Sequence, residues 1–151
     1  MARFFEVVKD EFRKNEGEIK LPTRATEHSA GYDFYLPCDI RIHPGERMLV
    51  FTDVKAFMQE DEVLMLYVRS SIGVKKGVVL SNGTGIIDAS YYSNPDNDGR
   101  IGISLFNTSD KEVKLLAGER IAQGVFMQYL IADDESVLSK ERVGGFGSSG
   151  K

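Results

Sequence analysis

Ile101-Gly102-Ile103-Ser104-Leu105-Phe106 decides how the fold is read: large aliphatic residues at every second position alternate with a glycine, a hydroxyl and an aromatic ring. Successive side chains of a strand point to opposite faces, so this period of two predicts a half-buried β-strand. Working outward, residues 63–68 form an unbroken apolar run, which predicts a strand buried on both faces. His43-Pro44-Gly45-Glu46 precedes Arg47-Met48-Leu49-Val50, and Leu116-Ala117-Gly118-Glu119 precedes Arg120-Ile121-Ala122-Gln123. Both read as a turn feeding a strand, although the echo is too short to be a repeat. One short helix is expected, with Ser70 or Ser71 capping its start, residues 72–76 as its body and Gly77 just past its end. Many short strands punctuated by turns predict an all-β sandwich or small barrel.

Composition sets the outer limits. At 151 residues, 42% hydrophobic and 28% charged, the chain suits one globular domain with a core of its own. No apolar run approaches the ~20 residues that span a bilayer, so no membrane is expected. The start, MARFFEVVKDEF, carries acidic residues where a secretory signal needs an apolar stretch, and a cytoplasmic location is expected. Lone Cys38 cannot form an internal disulfide and is read as a small buried or half-buried thiol. Two histidines, His28 and His43, and a single cysteine argue against zinc and against Ser–His or Cys–His nucleophilic chemistry. A net charge of −4 excludes a generally basic duplex-binding surface, so no nucleic acid is expected. A phosphate site would have to be local, built from a few arginines and aimed N–H groups.

Three stretches offer such chemistry, each with a plain structural alternative. Arg69-Ser70-Ser71 at the helix start brings a guanidinium and two hydroxyls to free N–H groups, or is simply a cap. In Asn82-Gly83-Thr84-Gly85-Ile86-Ile87-Asp88-Ala89-Ser90-Tyr91, apolar residues run into Asp88, with Tyr91 three positions on. A carboxylate at a strand end can deprotonate a water, or can merely start a turn. Gly145-Phe146-Gly147-Ser148-Ser149-Gly150-Lys151 imitates the first seven positions of a P-loop, but without the strand, helix and Ser/Thr that such a loop needs. It reads either as a plain glycine-rich tail or as a flexible lid.

Read together, these stretches resemble the dUTPase family. Ala30-Gly31-Tyr32-Asp33-Phe34 resembles its first motif and Arg69-Ser70-Ser71 its second. Residues 82–91, continuing at Gly99, resemble the third, Arg120-Ile121-Ala122-Gln123 the fourth, and residues 144–150 the fifth. The resemblance implies a jelly-roll-like distorted β-barrel with one short helix, spanning residues 1–142, and a glycine-rich lid over residues 143–151. It also implies a homotrimer with shared sites that hydrolyses dUTP to dUMP and pyrophosphate with Mg²⁺, limiting uracil in DNA and supplying dUMP for thymidylate synthesis. Asp88 would be the general base and Tyr91 would stack under the deoxyribose. Asn82, Gly85, Ile86, Ile87 and Gly102 would frame uracil on a tight hairpin, mostly through the main chain. Arg69, Ser70, Ser71, Gln123, Arg142, Phe146, Gly147, Ser148 and Ser149 would hold the phosphates. Asp33 and Gln123 would meet the metal only through water, and Arg120 would pair with Asp33.

Two departures from the family pattern stand out. Glu141 occupies the fifth motif's arginine position, with Arg142 one residue closer to Phe146. Residues 92–98 separate Tyr91 from Gly99, where the family has one residue; their Asn, Pro and Asp content reads as a longer hairpin tip, and a protein partner there is a further expectation. Two alternatives accompany the main reading. A dCTP deaminase of the same superfamily would use a glutamate on the returning strand, where Ser104 stands. A nucleotide-gated regulatory binding protein would keep the pocket and use residues 92–98 for contact.

Overall fold

The computed structural model describes residues 2–133. Among these described residues twelve strands follow in order: β1 (Phe4–Val7), β2 (Thr23–Arg24), β3 (Tyr32–Tyr35), β4 (Ile40–Ile42), β5 (Arg47–Phe51), β6 (Val54–Phe57) and β7 (Glu62–Val68), then β8 (Val78–Leu80), β9 (Gly85–Asp88), β10 (Gly102–Asn107), β11 (Val113–Leu115) and β12 (Arg120–Gln128). One helix, α1 (Ser70–Lys76), lies between β7 and β8, and short 3₁₀ turns occupy Asp10–Phe12 and Ala89–Tyr91. All strand pairings among the described residues are antiparallel. They form a five-stranded sheet in the order β2-β3-β12-β7-β9, a three-stranded sheet β5-β10-β8, and the ribbons β1-β6 and β4-β11. This is the expected all-β, jelly-roll-like architecture with one short helix.

The core forms where the inward faces meet. Phe34, Leu64, Leu66 and Ile121 from the larger sheet pack with Val50, Leu80, Ile103 and Leu105 from the smaller, and Ile42 and Leu115 close one side. Strand β10 alternates as its sequence predicts, with Ile103, Leu105 and Asn107 buried and the residues between them only half-buried. Strand β7 is buried at consecutive positions only over its first half; Met65, Tyr67 and Val68 are half-buried. The expectation of burial on both faces therefore holds for one end of that strand, because only that end is covered on both sides.

Two smaller expectations are corrected. The N-cap of α1 is Arg69, and no side chain bonds to the cap, so the serines stand inside the first turn rather than before it. Gly77 takes the left-handed conformation at the far end as expected, φ 68°, and accepts the helix's terminal geometry at no steric cost. Cys38 is exposed, because it lies in the short loop between β3 and β4 rather than on an inward strand position. The two echoed turns are the same device. In each the fourth residue's N–H donates to the first residue's carbonyl at 3.0 Å, and the glutamate carboxylate accepts the N–H of His43 or Leu116.

Candidate active site

Strand β8 belongs to the edge of the small sheet and β9 to the edge of the large one, although only residues 81–84 separate them. The chain crosses between sheets there, so the tight hairpin expected for base recognition is instead a wedge between two sheet edges. The turn is held by Gly83 N–H to the Leu80 carbonyl at 3.0 Å and by Ser81 N–H to the Ser104 carbonyl at 2.9 Å. Where the strands diverge, a cleft of about 490 Å³ opens, within the size range of small-molecule sites.

Asn82, Gly85, Ile86, Ile87, Asp88, Tyr91 and Gly102 all line this cleft, so the structure brings together the residues expected for base, sugar and catalysis. Strand β9 pairs with β7 on one side only, and its other edge borders the cleft. Among the described residues no second strand pairs along that edge, which suits its main chain to reading the rim of a planar ring. Gly85 is required by packing: a Cβ there would lie 2.9 Å from Leu66 Cβ. The lining also contains Leu66, Leu80, Ser81, Thr84, Ile103 and Ser104, which sequence reasoning did not name as site residues. The alternation in β10 offered a signal for Ser104, on the same face as Gly102. Ser104 Oγ lies 2.7 Å from Ser81 Oγ, so the returning strand presents a hydroxyl pair where a deaminase would need a carboxylate.

Residues 92–98 do not form a projecting tip. Strands β9 and β10 lie in different sheets, and the segment joining them folds down onto β1 and β6. Asn94 and Asp98 are buried, and only Ser93, Pro95 and Asp96 are exposed. The Asp98 carboxylate accepts the Lys9 N–H and the Lys55 ammonium, both at 2.9 Å, and Arg100 donates to the Phe12 carbonyl. Tyr92 packs edge-on against Phe4 and Phe57 and donates its hydroxyl to Glu6. Burial first, then that hydrogen bond and the charges of Glu6 and Asp98, push the Tyr92 phenol up to about 12.

A second cluster is made of charge. Buried Asp33 on β3 receives Arg69 Nε at 3.2 Å and Arg120 Nη1 at 3.3 Å. Gln123 on β12 lies opposite Asp33 in the ladder. Gly31 leaves room for it, since a Cβ there would fall 2.5 Å from Gln123 Oε1. The Arg120–Asp33 pair is as expected; the Arg69–Asp33 pair was not foreseen. Ser70 and Ser71 follow Arg69 into α1, so the first, second and fourth motifs meet here. Arg142, Phe146, Gly147, Ser148 and Ser149 lie outside the described residues.

Strand β7 measures the backbone distance between Asp88 and Arg69. Asp88 pairs with Val63 at one end, and Arg69 follows Val68 at the other. Six residues of strand span about 20 Å, whereas reacting atoms must approach to about 3–3.5 Å. Within one chain the backbone of Asp88 and that of Arg69 therefore stand about 20 Å apart along the strand.

Comparisons with known proteins agree with this geometry. The dUTPase family profile matches residues 17–150. A deoxyuridine 5'-triphosphate nucleotidohydrolase of Lactococcus lactis is 51% identical over 149 residues, covering 98% of this chain and 97% of the relative. The crystal structure of a dUTPase from Streptococcus mutans superposes with a TM-score of 0.77 at 47% identity, covering 85% of this chain and 98% of that one. A mutant dUTPase from phage phi11 of S. aureus, described as coordinating a structural Mg(II) ion, shares the fold at 22% identity with a TM-score of 0.70, covering 93% and 99%.

Proposed function

The chain belongs to the dUTPase family and is a dUTP diphosphatase, and from that premise we propose that it works as a homotrimer in which each site joins the cleft of one subunit to the Arg69–Asp33 cluster of another. Hydrolysis of dUTP to dUMP and pyrophosphate keeps uracil out of DNA and supplies dUMP for thymidylate synthesis. The observation that carries the shared site is the backbone separation of about 20 Å along β7 between Asp88 and Arg69, far beyond the reach of reacting atoms. Exposed Tyr129, Leu130 and Ile131, just beyond β12, add apolar surface of the kind a neighbouring copy covers.

In this reading uracil meets the open edge of β9 and Gly102, with Asn82, Ile86 and Ile87 completing the frame. Tyr91 forms the floor beneath the deoxyribose, leaving no space for a 2′-hydroxyl. Asp88 takes a proton from the water that attacks the α-phosphorus. Arg69, Ser70, Ser71 and Gln123 of another subunit hold the phosphates, with Asp33 and Arg120 keeping Arg69 in place. Residues 143–151 close over the triphosphate through Phe146, Gly147, Ser148 and Ser149, together with Arg142 just before them.

The donor set fits Mg²⁺ held by the phosphates and through water. Both Asp33 oxygens already face guanidinium groups, so a direct metal bond there would set a cation against two others. Their remaining lone pairs, and the Gln123 carboxamide, can still accept from metal-bound water. When bound, the ion neutralises phosphate charge. We also infer a cytoplasmic location, supported by the lone exposed Cys38, which suits a reducing compartment. At residues 92–98 a protein partner would meet only Ser93, Pro95 and Asp96.

Subunit mixing tests the shared site. Assayed at dUTP well below the KM of the unaltered enzyme, Asp88→Asn and Arg69→Ala proteins are each expected to keep little activity. Unfolded and refolded together in equal amounts, they should form sites with both residues intact in roughly one quarter of cases, the product of two halves in a symmetric ring. Full subunit exchange with no recovered pyrophosphate release would reject shared sites. Turnover of dUTP and UTP at equal rates by the unaltered enzyme would reject Tyr91 as the sugar floor.

A further inference from the structure

Tyr91 lines the cleft with its ring, while its hydroxyl points away from the cleft into the segment that follows. There it donates to the Arg100 carbonyl at 2.7 Å and accepts from Asn97 Nδ2 at 2.8 Å. The direction of each bond follows from the network itself. Asn97 Oδ1 accepts the Gly99 N–H at 2.9 Å, so the amide's other end must be its nitrogen, which can only donate. The tyrosine oxygen therefore accepts from Asn97, and its proton goes to Arg100. Two bonds to one oxygen restrain the tilt of the ring.

We propose that Asn97 is a positioning residue for the sugar-discriminating ring: residues 92–98 form a buckle that holds Tyr91 against the cleft from behind. Asn97 does not line the cleft, so it acts only through Tyr91. The buckle is anchored independently of the site. Asp98, next to Asn97, is held by Lys55 and the Lys9 N–H, and Asp98 N–H donates to the Asn94 carbonyl at 2.7 Å. Gly99 completes it in a conformation of φ 82°, where a Cβ would lie 2.6 Å from the Tyr91 carbonyl oxygen. Gly99 and Arg100 thus lie close against Tyr91, and Asn97 links the Tyr91 hydroxyl to the Gly99 N–H. This proposal rests on Tyr91 as the floor under the sugar, and it gives the extra residues between Tyr91 and Gly99 a task within the known reaction.

The test is the preference for dUTP over UTP in kcat/KM, together with the ¹³Cζ resonance of Tyr91, assigned by its loss in Tyr91→Phe. Asn97→Asp retains an acceptor for Gly99 but removes the donor to Tyr91; Asn97→Ala removes both. Each should lower the preference about fivefold, the worth of one buried hydrogen bond, and Asn97→Asp should move the Tyr91 ¹³Cζ resonance. Tyr91→Phe should lower it similarly, and adding Asn97→Asp to Tyr91→Phe should lower it no further. The proposal is overturned if Asn97→Asp keeps the preference while Asn97→Ala loses it, since only the turn at Gly99 would then matter. It is also overturned by additive losses in the double variant, or by an unmoved ¹³Cζ resonance. Tyr91→Ala separates the two readings. If that variant keeps the preference, the sugar floor is wrong, and the resonance still decides whether Asn97 holds the ring.

Discussion

The cleft and the arginine–aspartate cluster lie on the two sides of β7, the cleft along β9 and the cluster along β12 and β3, and are built from opposite materials. The cleft is lined by aliphatic side chains, small residues and the open edge of β9, with Asp88 at its rim. The cluster consists of Asp33 with two guanidiniums and a carboxamide beside it. A planar base with a fixed rim of donors and acceptors is read well by main chain that cannot reorient. A flexible triphosphate carrying several charges calls for side chains that carry charge themselves. The difference teaches where each region tolerates change: the cleft at most side chains that are not in contact with the reacting atoms, the cluster at almost none.

The sharpest test of that contrast is its one exception. Asp88→Asn should lower kcat by about 10²–10⁴, the usual worth of a positioned base, while dUTP binding measured by calorimetry stays near that of the unaltered enzyme. Near-normal turnover would move the base elsewhere. In the cluster, Arg69→Ala should raise KM for dUTP about 10- to 100-fold, as expected for lost charged hydrogen bonds. Arg69→Lys should recover little of it, because an ammonium lacks the planar fork.

Smaller effects separate the two regions further. Gly85→Ala drives a methyl into Leu66 and should cost about 1–3 kcal/mol in urea unfolding, with weakened nucleoside binding, as overpacking does. Ile86→Ala removes a largely exposed side chain and should change stability by less than about 0.5 kcal/mol, with dUTP hydrolysis altered only a few-fold. A large loss from Ile86→Ala would show that side chains, not main chain, frame the base. The smallest effect lies outside both regions. With its folded-state value near 12, Tyr92 keeps its proton where an unfolded tyrosine has begun to lose it at about 10. Its contribution to stability is complete below pH 10 and fades as pH rises towards 12. Tyr92→Phe should remove that decline from the pH dependence of the melting temperature.

The period of two in β10 was legible because alternation is a local property, and the tertiary fold needed only to supply a core on one side. The turn devices at His43 and Leu116 were legible for the same reason, since a glycine with positive φ and a glutamate three residues after the turn's start act within four residues. Most of the cleft lining could be seen to lie together because it belongs to one continuous stretch, from Asn82 to Tyr91. Less legible was the divergence of β8 and β9. Nothing in residues 78–88 says that one strand pairs with β10 and the other with β7, because the partners lie elsewhere in the chain.

Residues 92–98 show where reading by composition fails. Asn, Pro, Asp and Gly suggest a solvated tip, yet Asp98 is buried against Lys55 and Lys9, 43 and 89 positions away. Turn-forming residues report backbone conformation, and Asp98 and Ser93 do adopt positive φ here. They do not report exposure, which depends on what is packed beside them. The sequence by itself determined that the chain is all-β and where the turns at His43 and Leu116 fall, since these follow from local periodicity and residue type; the five motifs were legible only through their resemblance to the dUTPase family. Only the tertiary structure decided that Arg69 and Arg120 share one carboxylate, that two sheet edges make the cleft, and that Asn97 stands behind Tyr91. Each of those facts is a contact between distant parts of the chain, and local pattern carries no record of which distant residue will arrive.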